Sequence, residues 1–159
     1  MILDSQGQFS DSQALSVVGA LATNVIDLGA VDRNIGTGEP MLVVINVEVA
    51  ADQTTGDEDY TFTLETASDA GITTARKQLA TRSFESGTPT APAEDADLLV
   101  AGFIFALPIP PGGLAEAERY LGLRYVLAGT TPLITVSAHL IPSNFIQKTI
   151  DYPKGYTIT

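Results

Sequence analysis

The sequence contains no cysteine, no tryptophan and a single histidine among its 159 residues. The absence of cysteine excludes disulfides, thiolate nucleophiles and sulfur-ligated metals. One histidine, His139, cannot supply the several imidazoles that a cupin-type metal site needs. The sequence also has no Gly-x-Ser-x-Gly motif that would present a serine nucleophile. We therefore expect no catalytic residue, no cofactor and no metal.

Basic residues are also scarce. Eight Lys and Arg stand against 19 Asp and Glu, which gives a formal net charge of −11 and argues against nucleic-acid binding. We interpret the acidity mainly as an aid to solubility, although it would also suit a basic patch on a protein partner. No apolar run approaches the ~20 residues needed to span a bilayer, and the N-terminus lacks a signal-peptide pattern. We expect a soluble protein made in the cytoplasm, with no membrane partner.

Alternating apolar and polar residues dominate the rest of the sequence. Residues 41–50 and 59–68 each alternate with a period of two, and the polar segment 51–59 between them predicts a β-hairpin. Residues 119–142 predict two more strands, joined by a hairpin turn at 129–132. The run 98–110 is apolar on both faces, which predicts a central strand of a sandwich.

The remaining segments are less regular. Residues 72–86 fit an irregular strand better than a helical turn, and the Pro-rich stretch 87–97 predicts a surface loop. Ser10 and Gln13 have the spacing of a helix capping box, yet the β-branched residues that follow favour an extended segment ending in 24–29. We predict one all-β domain over 1–159, a jelly-roll-like antiparallel β-sandwich of about eight strands with little helix.

Two groups of polar side chains resemble ligand sites only weakly. The loop 52–59 has four carboxylates that are suitable in type for Ca²⁺, but their spacing is not that of an EF-hand. We therefore predict a solvated loop. His139 falls on the polar side of the last predicted strand, where we expect an ordinary exposed or hydrogen-bonded residue.

Several stretches together resemble a known family. These are "MILD", "FSDSQAL" and "ATNVIDLG" near the N-terminus, "LETASDAG" at 64–71, and then "LVAGFIFALPIPPGG", "ERYLGLRYVLAGTTP" and "ITVSAHLI". In this order they resemble capsid cement (decoration) proteins of tailed bacteriophages, of the type described for a short-tailed Bordetella phage. The resemblance covers most of the chain and consists of packing and turn patterns, without a catalytic signature.

The resemblance implies a structural virion protein on the outer surface of an icosahedral capsid. Its partners would be the major capsid protein and itself, with a homodimer favoured over a trimer. Such a protein bridges neighbouring capsid subunits without covalent chemistry, and many repeated contacts provide avidity. It would be synthesised in the host cytoplasm and end on the virion.

Apolar residues near the two termini are the candidate interface residues. We assign an N-terminal arm at about 1–12 and a C-terminal tail at about 150–159. The candidates are Ile2, Leu3 and Phe9 in the arm, with Tyr152, Tyr156 and Ile158 in the tail. The alternative is that these side chains only cover the sheet edges of their own domain.

Two other functional classes stay open at this point. A jelly-roll carbohydrate-binding module would stack sugars on Tyr60, Tyr120 and Tyr125, although the absence of tryptophan weighs against it. A glycan hydrolase would need two carboxylates at a defined separation, which a sequence does not contain.

Overall fold

The computed structural model of the protein describes residues 5–16, 19–29, 40–85, 98–109 and 118–143. One 3-10 turn, Ser5–Gly7, precedes the strands. The strands are β1 (Gln8–Leu15), β2 (Ala20–Leu21), β3 (Ile26–Asp27), β4 (Met41–Val49), β5 (Asp59–Ala67), β6 (Lys77–Glu85), β7 (Ile104–Pro108), β8 (Tyr120–Ala128) and β9 (Ile134–Pro142). No helix within these ranges is long and apolar enough to cross a membrane.

The strands form two antiparallel sheets that pack face to face. The four-stranded sheet has the order β1-β9-β4-β7, and the five-stranded sheet has the order β2-β8-β5-β6 with β3 also paired to β8. The short strands β2 and β3 follow one another along the same side of β8, so they act as one interrupted strand. This order is that of a jelly roll, and it confirms the predicted all-β sandwich of about eight strands.

The core lies between the sheets and follows the period-two pattern of the strands. Phe62 on β5 is its aromatic centre, with ring centroids 5.0 Å from Phe105, 5.8 Å from Tyr125 and 6.0 Å from Phe84. All four side chains are buried, and each pair meets edge to face, which is a favoured geometry for aromatic rings. The predicted strands at 41–50 and 59–68 are confirmed as β4 and β5.

Both predicted hairpins are wrong. β4 and β5 belong to different sheets, and so do β8 and β9, which means that the loops at 50–58 and 129–133 cross from one sheet to the other. Among the described residues, β5 and β6 do form a hairpin. Alternation of apolar and polar residues identifies a strand with one buried face, but it does not show which strand is its hydrogen-bonded neighbour.

The run 98–110 is not a central strand. Only Ile104–Pro108 is extended, as β7, and this strand lies at the edge of its sheet. Gly102 has a φ of +87°, and Pro108 has no N–H to donate to a second neighbour, so the run cannot form a long inner strand. The predicted loop at 87–97 lies outside the described residues.

The segment with the capping-box spacing is a bulged strand. β1 runs from Gln8 to Leu15 along the edge of the four-stranded sheet, and its register with β9 slips twice, with Ser12 at a φ of +45°. Ser10 and Gln13 still meet, because the Ser10 hydroxyl donates to Gln13 Oε1 at 2.7 Å. Gln13 Nε2 donates to the Leu21 carbonyl at 3.0 Å, so this side chain joins β1 to β2.

Candidate interaction surface

Within the described ranges, no three His, Asp or Glu side chains gather in a way that could hold a metal ion. His139 lies on the outward side of β9, where Gln8 and Val44 are its strand neighbours. Its Nδ1 is buried without a hydrogen-bond partner. Burial lowers the pKa of the imidazole, while the nearby Asp11 carboxylate acts in the opposite direction. This histidine is half-buried rather than an ordinary exposed or hydrogen-bonded residue.

The carboxylates of loop 52–59 hold the loop itself together. Asp52 accepts from the amide and hydroxyl of Thr54, and Asp57 accepts from the Thr55 hydroxyl and from the amide and hydroxyl of Thr130. These bonds lower the pKa of both carboxyls, led by the Thr54 hydroxyl for Asp52 and the Thr55 hydroxyl for Asp57. The two groups stay ionised at neutral pH and give this loop a lasting negative charge.

Glu58 is the fully buried member of the same loop. Burial alone would raise its pKa, but hydrogen bonds from the Thr55 hydroxyl and from the Thr55 and Asp57 amides outweigh burial and lower it. The prediction of a solvated loop therefore holds for its exposed residues, whereas Glu58 is a structural anchor.

Loop 52–59 packs directly against the loop between β8 and β9. The Asp52 amide donates to the Leu133 carbonyl at 2.8 Å, and the Tyr60 hydroxyl donates to the Asp52 carbonyl at 2.5 Å. Gly129 lies so close to the backbone of loop 52–59 that a Cβ built on it would be 2.3 Å from the Asp57 carbonyl oxygen. The two loops form one continuous rigid rim at this end of the sandwich.

The exposed large hydrophobic side chains of the described residues all lie at this same end. We call this set the apolar end, and its members are Val49 (52% exposed), Leu98 (44%), Val100 (55%), Ile104 (61%) and Leu133 (45%). β4 ends there at Val49, while β7 and β9 begin there at Ile104 and Ile134. Single exposed hydrophobic residues are ordinary on a protein surface, but a gathered set marks a site of interaction.

Backbone hydrogen bonds fix the members of the apolar end next to one another. The Val47 amide donates to the Phe103 carbonyl at 2.9 Å, and the Gly102 amide donates back to the Val47 carbonyl at 2.7 Å. The Ala51 amide donates to the Leu99 carbonyl at 2.9 Å. Segment 98–103 is thus bonded along the end of β4, and Leu133 is bonded to Asp52, the residue that follows Ala51.

The opposite end of the sandwich is built from ion pairs, and we call it the ion-paired end. It comprises Asp27, loop 68–76, Lys77, Glu118 and Arg119, where β5 ends and where β6 and β8 begin. Arg119 holds Asp27 through two hydrogen bonds of 2.8 and 2.7 Å, which lower the pKa of the Asp27 carboxyl to about 2. Lys77 Nζ lies 3.4 Å from Glu118 Oε1. Each acid named here has a cationic partner.

Loop 68–76 covers the outer face of the five-stranded sheet near this end. The Asp69 carboxylate accepts from the backbone amides of Gly71, Thr73 and Thr74, and the amide of Thr74 is the main cause of a carboxyl pKa of about 2. Ile72 is fully buried at a φ of +50°, where it lies over the backbone of Gly122.

Of the interface residues predicted from the sequence, Phe9 lies in the described part of the chain. Its side chain is 0% exposed and packs in the core between the two sheets. The described part of the N-terminal arm is the 3-10 turn and the start of the edge strand β1. The other candidates, Ile2, Leu3, Tyr152, Tyr156 and Ile158, lie outside the described residues.

The tyrosines considered for sugar stacking do not form a platform. Tyr60 and Tyr125 are fully buried, and the Tyr125 hydroxyl bonds to Ser10 at 2.6 Å inside the sandwich. Burial raises the pKa of Tyr60 to about 12. Tyr120 is half-buried, and the Arg119 guanidinium lies 5.0 Å from its ring centroid. A carbohydrate-binding surface built on these three rings is not present.

The apolar end was missed in the sequence analysis. Val49 continues the buried series Val43, Ile45 and Val47, so the pattern places it in the core. A slip of register between Val47 and Val49 turns it outward instead. A usable signal was Gly102 together with the prolines after residue 107, which mark the run 98–110 as an interrupted edge.

Comparison with known protein families gives a match. The model of a family described as Bbp16 matches residues 9–140, a range that begins within β1 and ends within β9. No curated protein matches the chain.

Proposed function

The chain belongs to the Bbp16 family, whose name is associated with a Bordetella phage, and from this premise we propose that it is a capsid cement protein. In this proposal it is a structural virion protein that binds the outer surface of an icosahedral capsid. There it bridges neighbouring subunits of the major capsid protein. The observation that carries the proposal is the family match over nearly the whole sandwich, combined with a gathered apolar surface at one end of it.

The proposed mechanism is binding without chemical change. Each copy buries apolar surface against capsid subunits, and the repetition of such contacts over the shell provides avidity. Self-association as a homodimer, or as a trimer, would let one assembly span a local symmetry axis of the shell. The protein would be made in the host cytoplasm and act on the virion surface.

Several carboxylates are hydrogen-bonded or ion-paired within the chain itself, which supports a binding role. The carboxylates of Asp57, Glu58 and Asp69 accept hydrogen bonds within their own loops, and Glu65 is paired with Arg124 at 2.8 Å. These groups stiffen loops and sheet faces. A rigid surface loses less conformational entropy on docking than a mobile one.

Sedimentation with empty capsids tests this proposal. The purified protein is mixed with expanded shells assembled from the major capsid protein encoded in the same genome, and the pellet is assayed for bound copies. We expect saturable binding with a fixed ratio to the capsid subunit. Absence of binding to these shells would overturn the proposal.

Two truncations separate the terminal segments from the sandwich. Deletion of residues 1–4 removes Ile2 and Leu3, and deletion of 150–159 removes Tyr152, Tyr156 and Ile158. If these residues form part of the interface, the truncated proteins keep their thermal stability and occupy fewer sites on the shell. Normal occupancy of the shell by both truncated proteins would remove these residues from the interface.

A further inference from the structure

We propose that the apolar end is the face that meets the shell, and that it docks on a protein surface where apolar side chains are flanked by Lys or Arg. This inference rests on the proposed function and adds to it the orientation of the protein and the chemistry of its partner.

The first observation is the uneven distribution of exposed apolar residues. Val49, Val100 and Ile104 each leave half or more of their surface in water, and they lie on adjoining backbone segments. The outer face of the five-stranded sheet is instead lined with paired hydroxyls, Thr61 with Ser83 at 2.9 Å and Thr63 with Thr81 at 3.2 Å. Desolvation on docking is therefore favourable at the apolar end and not on that face.

The second observation is the charge around the apolar end. The carboxylates there are Asp52, Asp57, Glu58, Asp59 and Glu85. Asp59 and Glu85 are direct partners in the register of β5 and β6, so two acids lie side by side where these strands reach this end, at the margin of the outer face of the five-stranded sheet. Arg82 lies on the same strand as Glu85, and its guanidinium lies over the Phe84 ring, 4.7 Å from the centroid.

The acids of this end therefore differ from those of the ion-paired end. Asp27 and Glu118 have cationic partners within their own chain, whereas Asp59 and Glu85 face one another. Like charges directly opposite on a sheet are destabilising, and a cation from a partner would offset their repulsion. Charge complementarity thus selects a basic rim around an apolar centre as the docking partner.

The third observation is the rigidity of the surface. Loop 52–59 is bonded to the β8–β9 loop through Asp57 and Thr130, and segment 98–103 is bonded along β4. The apolar side chains are thus presented on fixed backbone rather than on free loops. Such preorganisation lowers the entropic cost of docking.

Two double variants and two controls test the inference in the shell-sedimentation assay. The apolar variant carries Val100→Ser and Ile104→Ser, and its control is Val126→Ser on the outer face of the five-stranded sheet. The charge variant carries Asp59→Asn and Glu85→Gln, and its control is Glu118→Gln at the ion-paired end. Thermal unfolding of each variant establishes that it is folded.

We expect the apolar variant to weaken binding about tenfold or more, as for the loss of buried interface anchors. The charge variant should weaken binding about threefold at low salt, and this difference should vanish near 0.5 M NaCl, where exposed charges are screened. Both controls should bind the shell as the unmodified protein does.

The outcomes separate this inference from the proposed function. If the unmodified protein does not bind shells, both are overturned. If it binds and both double variants bind equally well, the function stands and the inference is wrong. If the apolar variant binds normally but loses its self-association in sedimentation velocity, the apolar end joins copies of this chain, and the inference is again wrong.

Discussion

The acidic side chains at the two ends of the sandwich have different neighbours. At the ion-paired end, Asp27 and Glu118 are matched by Arg119 and Lys77 within 4 Å. At the apolar end, Asp59 and Glu85 are placed opposite one another in the register of β5 and β6. The first arrangement serves the stability of the chain itself. The second leaves charge and apolar surface uncompensated, which is what a docking surface requires.

Glycine also has a different role at each end. At the apolar end, Gly129 lets two loop backbones approach, with the nearest atoms belonging to the backbone of Asp57 and Glu58. At the ion-paired end, Gly122 makes room for the side chain of Ile72. A backbone neighbour can yield less than a side chain, so the two sites should respond differently to an added methyl group.

The largest effect is expected for Gly129→Ala. The new Cβ would lie 2.3 Å from the Asp57 carbonyl oxygen, and the residue has a φ of +92°. We expect the free energy of unfolding to fall by about 3 kcal/mol, from left-handed strain and overpacking together. Urea unfolding measures it.

Gly19→Ala is the matched control for this variant. Gly19 has a φ of +78° and nothing within 4 Å of a built Cβ, so it reports the conformational strain alone. We expect a loss of about 1 kcal/mol. Equal losses in the two variants would contradict the close packing of the loops at the apolar end.

Gly122→Ala is expected to have a smaller effect. Its Cβ would lie 2.6 Å from Ile72 Cγ1, and that side chain is buried but able to shift. We expect a loss of about 2 kcal/mol. In a double-mutant cycle with Ile72→Ala, the loss for the pair should be about 1 kcal/mol less than the sum of the single losses. Strict additivity would show that the two residues do not contact.

Asp69 at the ion-paired end should be one of the groups through which acid destabilises the fold. The folded protein holds the Asp69 carboxyl at a pKa of about 2, below its ordinary value of 3.8. A lowered pKa stabilises the fold above the unfolded value, and this contribution is lost as the pH falls from about 5 towards 2. Asp69→Asn should therefore be less stable than the unmodified protein at pH 7.

The stability curves of the two proteins should approach one another towards pH 2, where about half of the folded protein has a protonated Asp69, and converge below it. Denaturant unfolding at a series of pH values measures the gap between them. A difference in the free energy of unfolding that stays constant across this pH range would show that the charge of Asp69 does not contribute to stability.

The positions of several strands could be predicted from the sequence, because apolar and polar residues alternate with a period of two in a half-buried strand. Residues 41–50 and 59–68 were predicted within one residue of β4 and β5. Which strands are hydrogen-bonded to one another could not be predicted in this way. β4 and β5 alternate as two hairpin strands would, yet they lie in different sheets, since alternation records burial and not the hydrogen-bonded neighbour.

The apolar end was harder to predict from the sequence than the fold. Val49 reads as the next core residue of β4 until a slip in register turns it outward. Val49, Ile104 and Leu133 come from separate segments that lie at one end of the sandwich only because β4 ends there and β7 and β9 begin there. Their proximity is a property of the topology, which no local pattern encodes.

The smallest expected effect is the most direct test of the difference between the ends. Asp59→Asn removes one of two carboxylates that lie side by side, so it should raise the free energy of unfolding by about 0.3 kcal/mol. Glu118→Gln removes a carboxylate that is paired with Lys77, so it should lower the same quantity by a similar few tenths.

These two changes have opposite signs although each removes one negative charge from a chain that already has an excess of them. A general effect of net charge would stabilise both variants. Urea unfolding at low salt separates the two cases, and repetition near 0.5 M NaCl should shrink both differences, because exposed charges are then screened. Stabilisation of both variants would mean that net repulsion, rather than local pairing, governs the two ends, and the argument for a cationic partner at the apolar end would lose its basis.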